Sequence, residues 1–118
     1  MQDALDWGAK LVLAEDVHHN GVETALEHVP DGAEIILCFD VDALDPSIVP
    51  GVIGRAPGGF SYFQVLDLIR GAAAKGRIAG INVVEYAPQD DIDGIGAMNV
   101  ARLIAAMLGL LARQADRA

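Results

Sequence analysis

Apolar positions along this chain follow two rhythms. Three runs, "LVLAE" (11–15), "EIILCF" (34–39) and "IAGINVVEY" (78–86), place apolar residues side by side and predict strands near 11–15, 34–39 and 79–84. The second run is apolar on both faces, as a central strand of a parallel sheet should be. Elsewhere the apolar residues recur at helical spacing. Residues 1–9 read as a short helix. Asn20, with Glu23 three residues on, predicts a capped helix whose stripe is Val22, Ala25, Leu26 and Val29 and which Pro30 ends. Ser61 and Gln64 repeat that signature ahead of a face made by Tyr62, Val65, Leu66, Ile69 and Ala73, with Lys75 and Gly76 as the stop. Residues 95–113 predict a long helix with Val100, Leu103, Ile104, Met107 and Leu111 facing inward.

This alternation predicts an α/β fold with a parallel sheet. Three strands are few, since such sheets usually have about five or six. The pattern implies strands missing on the N-terminal side, or neighbours in a homo-oligomer that extend the sheet across a bare edge. At 118 residues the chain is a single domain at most.

Composition narrows the classes. An apolar fraction of 53% excludes a disordered acidic tail. A net charge of −9 argues against nucleic acid, which needs a basic surface. Asp outnumbers Glu twelve to five, which points to loops, caps and cation sites rather than helix surfaces. The lone Cys38 suits a reducing compartment. The acidic N-terminus lacks the apolar core of a signal peptide, and the longest apolar stretch, Leu103 to Ala112, is short for a bilayer. A cytoplasmic protein without a membrane partner is expected.

The chemistry gathers after the second run. Asp40 and Asp42 stand two residues apart where a strand ends, so on extended backbone both carboxylates aim at one point. Ligands of open parallel sheets bind beyond the carboxyl ends of the strands. Paired carboxylates there hold a hard cation such as Mg²⁺, Mn²⁺ or Ca²⁺, or else cap loop amides. Asp45, ahead of Pro46, suits a turn in which its carboxylate ties down loop amides.

A longer pattern decides between these uses. "FDVDALDPSIVPG…APGGFSY" resembles the signature of the ureohydrolases, the family of arginase, agmatinase and related guanidino-group hydrolases, whose pattern is S-F-D-x-D-x-x-D-P followed by P-G-x-G-T-P-x-P-G-G. Downstream, "INVVEYAPQDD" resembles the family's D-V-V-E-x-x-P-x-x-D, with Glu85, Pro88 and Asp91 in register. The resemblance implies an arginase-like three-layer fold, of which residues 1–118 are a C-terminal part. It implies that Asp40 and Asp42 are two ligands of a binuclear Mn²⁺ centre, which turns a bridging water into hydroxide. It also implies that Glu85 binds a guanidino substrate, whose C–N hydrolysis releases urea.

The chain departs from the family in two ways. Cys38, expected to be buried, stands where the family usually has Ser, and Ile53, Gly54 and Arg55 replace Gly-Thr-Pro, so Arg55 brings a cation to the mouth of the site. The family's upstream motifs, G-G-D-H-S and D-A-H-x-D, do not occur, and His18, His19 and His28 fit neither. No catalytic residue is assigned, and the chain alone is expected to be inactive. Two other readings compete. One is a receiver-like signalling domain, with Glu15 and Asp16 as the acid pair that binds Mg²⁺ and Asp40 as the phosphoacceptor. The other is a non-catalytic structural fragment.

Overall fold

The computed structural model describes residues 1–116. Its helices are α1 (Gln2–Asp6), α2 (Ala14–Asn20), α3 (Glu23–Leu26), α4 (Tyr62–Lys75) and α5 (Ile95–Ala115); its strands are β1 (Glu34–Asp40) and β2 (Arg77–Val84). The strands pair in parallel, from Glu34 opposite Arg77 to Asp40 opposite Val84, with one irregularity between Ile35 and Ile36. Helix α4 is the crossover that a parallel pair requires. The α/β reading with a parallel sheet holds.

Burial explains how the layers form. Phe39 faces the core with Val65, Leu66 and Ile69 of α4 and Val100, Leu103 and Met107 of α5. Ile36, Cys38 and Asp40 alternate with the buried positions and are exposed, Ile36 by 76%. The expectation that β1 is apolar and covered on both faces, with Cys38 buried, is therefore corrected. Among the described residues, helices cover one face of the sheet only.

Polar side chains fix the ends of the helices. Ser61 and Gln64 form the predicted capping box, with Gln64 N donating to Ser61 Oγ (3.2 Å) and Ser61 N to Gln64 Oε1 (2.9 Å). Gln114 near the end of α5 accepts from Ile78 N at 2.9 Å and donates to Ala73 O at 3.0 Å and Gly76 O at 2.9 Å. One side chain thus ties α5 to the end of α4 and the start of β2. Lys75 Nζ donates to Leu26 O at 2.9 Å and joins α4 to α3.

Three local expectations are corrected. Residues 11–15 are not a strand: Leu11 to Leu13 are irregular and Ala14 opens α2. Leu13 is 64% exposed and, among the described residues, no strand pairs with the segment. Glu15 and Asp16 in the first turn complement the helix dipole instead. Asn20 does not start a helix but ends α2, where Gly21 takes φ 92°; that conformation favours glycine. The long C-terminal helix runs to Ala115. Its 21 residues are long and apolar enough to cross a membrane by length and composition, more than the short apolar run suggested. Its buried residues Val100, Leu103 and Met107 serve the core.

Candidate active site

The residues singled out in sequence lie beyond the carboxyl ends of β1 and β2. Asp40 is the last residue of β1 and pairs in register with Val84, the last residue of β2, so Glu85 comes directly after the adjacent strand. Neighbouring strands lie about 4.8 Å apart. The chain then departs from what was expected. Val41 is fully buried and turns the backbone into a 3-10 turn, Val41–Ala43, so Asp42 is not on a strand. The same-face argument for Asp40 and Asp42 does not apply, because it needs extended backbone.

Each acid has a distinct setting. Asp40 is exposed and its Oδ1 accepts a weak 3.8 Å bond from Cys38 Sγ. Among the described residues, no hydrogen bond or ion pair engages the Asp42 carboxylate. A Cβ built on Gly54 would stand 3.0 Å from Asp42 Oδ2, so the loop after the aspartates passes directly beside that carboxylate. Glu85 is exposed and takes φ 69°, a left-handed backbone that glutamate rarely adopts. Strained backbone of this kind clusters at functional sites.

Asp45 ties down the loop as expected. Its Oδ1 accepts from Ser47 N at 2.9 Å. The Ser47 side chain and amide, with the Gly58 and Gly59 amides, hold the Asp45 carboxyl below its ordinary value. Leu44 bridges to Phe60, and a Cβ at Gly59 would sit 2.5 Å from Asp45 N, so only glycine fits there.

A second loop locks onto the first. Ala87 N donates to Gly51 O at 2.7 Å. Arg55 donates through Nε to Pro50 O (2.8 Å) and through Nη2 to Asp90 O (2.9 Å). The cation foreseen at the mouth of the site is thus a latch between the loops that follow β1 and β2.

Two residues have roles here that the sequence did not mark. Asp91 accepts from Tyr86 Oη (2.8 Å), Ile92 N (2.9 Å), Gly96 N (3.0 Å) and Ala97 N (3.0 Å). It caps α5 from three residues ahead of the first-turn position, Gly94, where a cap is normally sought. The Ala97 amide, then Tyr86 and the Gly96 and Ile92 amides, hold its carboxyl below the ordinary value despite some desolvation, while the same pairing raises Tyr86. His18 is the other. Its Nε2 lies 2.9 Å from Gly58 O, its Nδ1 3.2 Å from Gln64 Nε2, and its ring packs on Phe60, so it docks α2 on the site loop. His18 lies within the last turn of α2, and nothing in the spacing marks a partner 40 residues away.

The receiver-like arrangement is overturned, because Glu15 and Asp16 sit in the first turn of α2 rather than at a strand end. Among the described residues, no three His, Cys, Asp or Glu groups converge as a metal ion requires.

The geometry has close relatives. The family model described as the arginase family matches residues 1–109. The agmatinase of Chromobacterium violaceum is 36% identical over 107 residues, 88% of this chain and 33% of that protein. The N(1)-aminopropylagmatine ureohydrolase of Thermus thermophilus is 34% identical over 110 residues, 92% of this chain and 36% of that protein. Among solved structures, a hypothetical agmatinase from Burkholderia thailandensis superposes with a TM-score of 0.84 at 32% identity, covering 94% of this chain and 36% of that one. The chain spans about a third of the length of the curated relatives it matches.

Proposed function

The chain belongs to the arginase family, and on that premise we propose that it carries part of the site of a manganese-dependent ureohydrolase acting on agmatine-like guanidino compounds. The observation that carries this reading is the register. Asp40 pairs with Val84 and Glu85 follows, so the family's metal aspartates and substrate glutamate share one end of the parallel pair. The left-handed backbone at Glu85 supports it further, since the chain accepts strain to hold that residue where it is.

In this reading Asp40 and Asp42 are hard oxygen ligands of the kind Mn²⁺ takes. A bound metal pair would supply a hydroxide at neutral pH. The two carboxylates do not complete such a centre, and among the described residues no third group joins them. No step is therefore assigned to this chain alone. Glu85 binds the planar guanidinium through paired, charge-assisted hydrogen bonds. Arg55 and Asp91 hold the two loops that carry these residues. Assembly with further polypeptide and a cytoplasmic setting belong to the same reading.

Two assays test it. Urea release by the purified chain from agmatine, arginine or guanidinobutyrate with excess Mn²⁺ should stay at background. Turnover abolished by Asp40→Ala with Asp42→Ala would refute the incomplete ligand set. In a chimera, residues 1–109 replace the matched third of the Chromobacterium violaceum agmatinase. The chimera should release urea, and Glu85→Ala should lower kcat/KM about 100-fold. A folded chimera inert towards every guanidino compound would remove the ureohydrolase reading.

A further inference from the structure

We propose that Arg55 makes the site selective for a guanidino compound whose far end carries a carboxylate rather than an ammonium group. The inference rests on the ureohydrolase reading and narrows its substrate. Gly54 and Arg55 stand where the family pattern has Thr and Pro. Both changes fall in the loop beside Asp42, since a Cβ on Gly54 would lie 3.0 Å from Asp42 Oδ2. A cation thus follows directly on the residue that borders this acid. Its side chain reaches the segment after β2, which begins at Glu85.

The latch uses only one edge of the guanidinium. Nε donates to Pro50 O at 2.8 Å and Nη2 to Asp90 O at 2.9 Å. Carbonyls orient the group without neutralising its charge. A guanidinium carries its N–H donors in a rigid planar fork, so the Nη1 side remains. The ion pairs among the described residues involve His28, Arg70, Lys75 and Arg77, and none engages Arg55. The residue is exposed, which leaves that edge within reach of a ligand. A fork held in this way takes a carboxylate through two parallel N–H···O bonds. Glu85 takes the guanidino end of the substrate in the reading above, and Asp90, on the segment that follows Glu85, supports Arg55. One ligand engaging both is cationic at one end and anionic at the other. An ammonium end, as in agmatine, would meet a like charge. The chain's net charge of −9 repels anions in general, so a fixed local cation is what an acid-ended substrate requires.

Agmatine and guanidinobutyrate serve as probes, because their chains match in length and their far ends differ in sign. In the chimera, Arg55→Gln and Arg55→Pro should each lower the ratio of kcat/KM for guanidinobutyrate to that for agmatine by about 10-fold or more. Arg55→Lys, which keeps the charge but not the fork, should lower it less. Loss of the latch alone would lower both substrates together. An unchanged ratio would therefore overturn the proposal and leave the ureohydrolase reading standing. A chimera inert towards both probes removes that reading, and the binding claim is then decided on the full chain by nuclear magnetic resonance. There guanidinobutyrate should shift the Arg55 Nε–H signal at a concentration about 10-fold or more below that needed for acetate, and Glu85→Ala should remove the difference. Agmatine should leave the signal in place. No shift, equal responses to the two acids, or a response to agmatine as strong as to guanidinobutyrate would overturn the proposal.

Discussion

Two flanks of β1 are built to different standards. Past its carboxyl end, residues 41–60 fold into the core, with Val41, Leu44 and Val49 completely buried and the loop stapled to residues 86–91 by Arg55 and the Gly51–Ala87 bond. On the uncovered face Ile36 and Cys38 are exposed, and among the described residues no second strand pairs with the other edge of β1. Exposed apolar residues also mark the segment before α2, where Trp7 is 91% and Leu11 53% exposed. Loops are usually the soft part of a fold and strands the hard part. Here the order is reversed. The loops are buried and bonded to each other, while one edge of the strand is open among the described residues.

Substitution on the two flanks should separate them most sharply. Leu103→Ala, which empties a fully buried site beneath the loops, should cost about 2–5 kcal/mol in denaturant unfolding. Ile36→Ala on the uncovered face should change stability by less than about 0.5 kcal/mol in the isolated chain. Comparable losses at the two positions would mean that the open face is covered in solution. Gln114→Ala removes three hydrogen bonds that join α5 to α4 and β2. A loss of about 2–3 kcal/mol is expected, and an unchanged unfolding midpoint would show the far end of the molecule to be loosely held.

The loop staple has a pH signature. Asp91 has a folded pKa below its ordinary 3.8, held down first by the Ala97 amide. Its contribution is therefore present above the unfolded value and is lost as pH falls through that value towards the folded one. The thermal midpoint should drop as pH falls below about 4. Asp91→Asn should lower the midpoint at neutral pH and flatten that acid limb, and an acid limb identical to wild type would exclude Asp91 as the cap. The smallest effect concerns Glu85. Glycine relieves a left-handed backbone at some entropic cost, so Glu85→Gly should be neutral or stabilising by up to about 1 kcal/mol. A clear destabilisation would mean that the glutamate side chain holds structure.

Much of this division was legible in sequence. The apolar run at 34–39, the capped helix opening at Ser61 and the stripe from Val100 to Leu111 each carry a local signal strong enough to survive folding. So does the turn at Asp45, because the Asp-Pro pair records it locally. "LVLAE" misled because a strand needs a partner as well as apolar residues, and no strand pairs with it here. Cys38 misled for the same reason, since a covered face depends on what packs over it. The bonds of His18, Arg55 and Gln114 span loops or helices brought together only by the fold, and Asp91 caps from outside the window where caps are sought. No local pattern encodes such contacts.

The central proposal is that Asp40, at the end of β1, and Asp42, in the turn that follows, are two ligands of an incomplete metal site. Calorimetric titration of the isolated chain with Mn²⁺ tests it most directly. Two carboxylates leave water to fill most of the coordination shell, so binding should be weak, at one site, and absent from the Asp40→Ala, Asp42→Ala double variant. Binding that survives the double substitution, or no binding by the unmodified chain, would contradict the account.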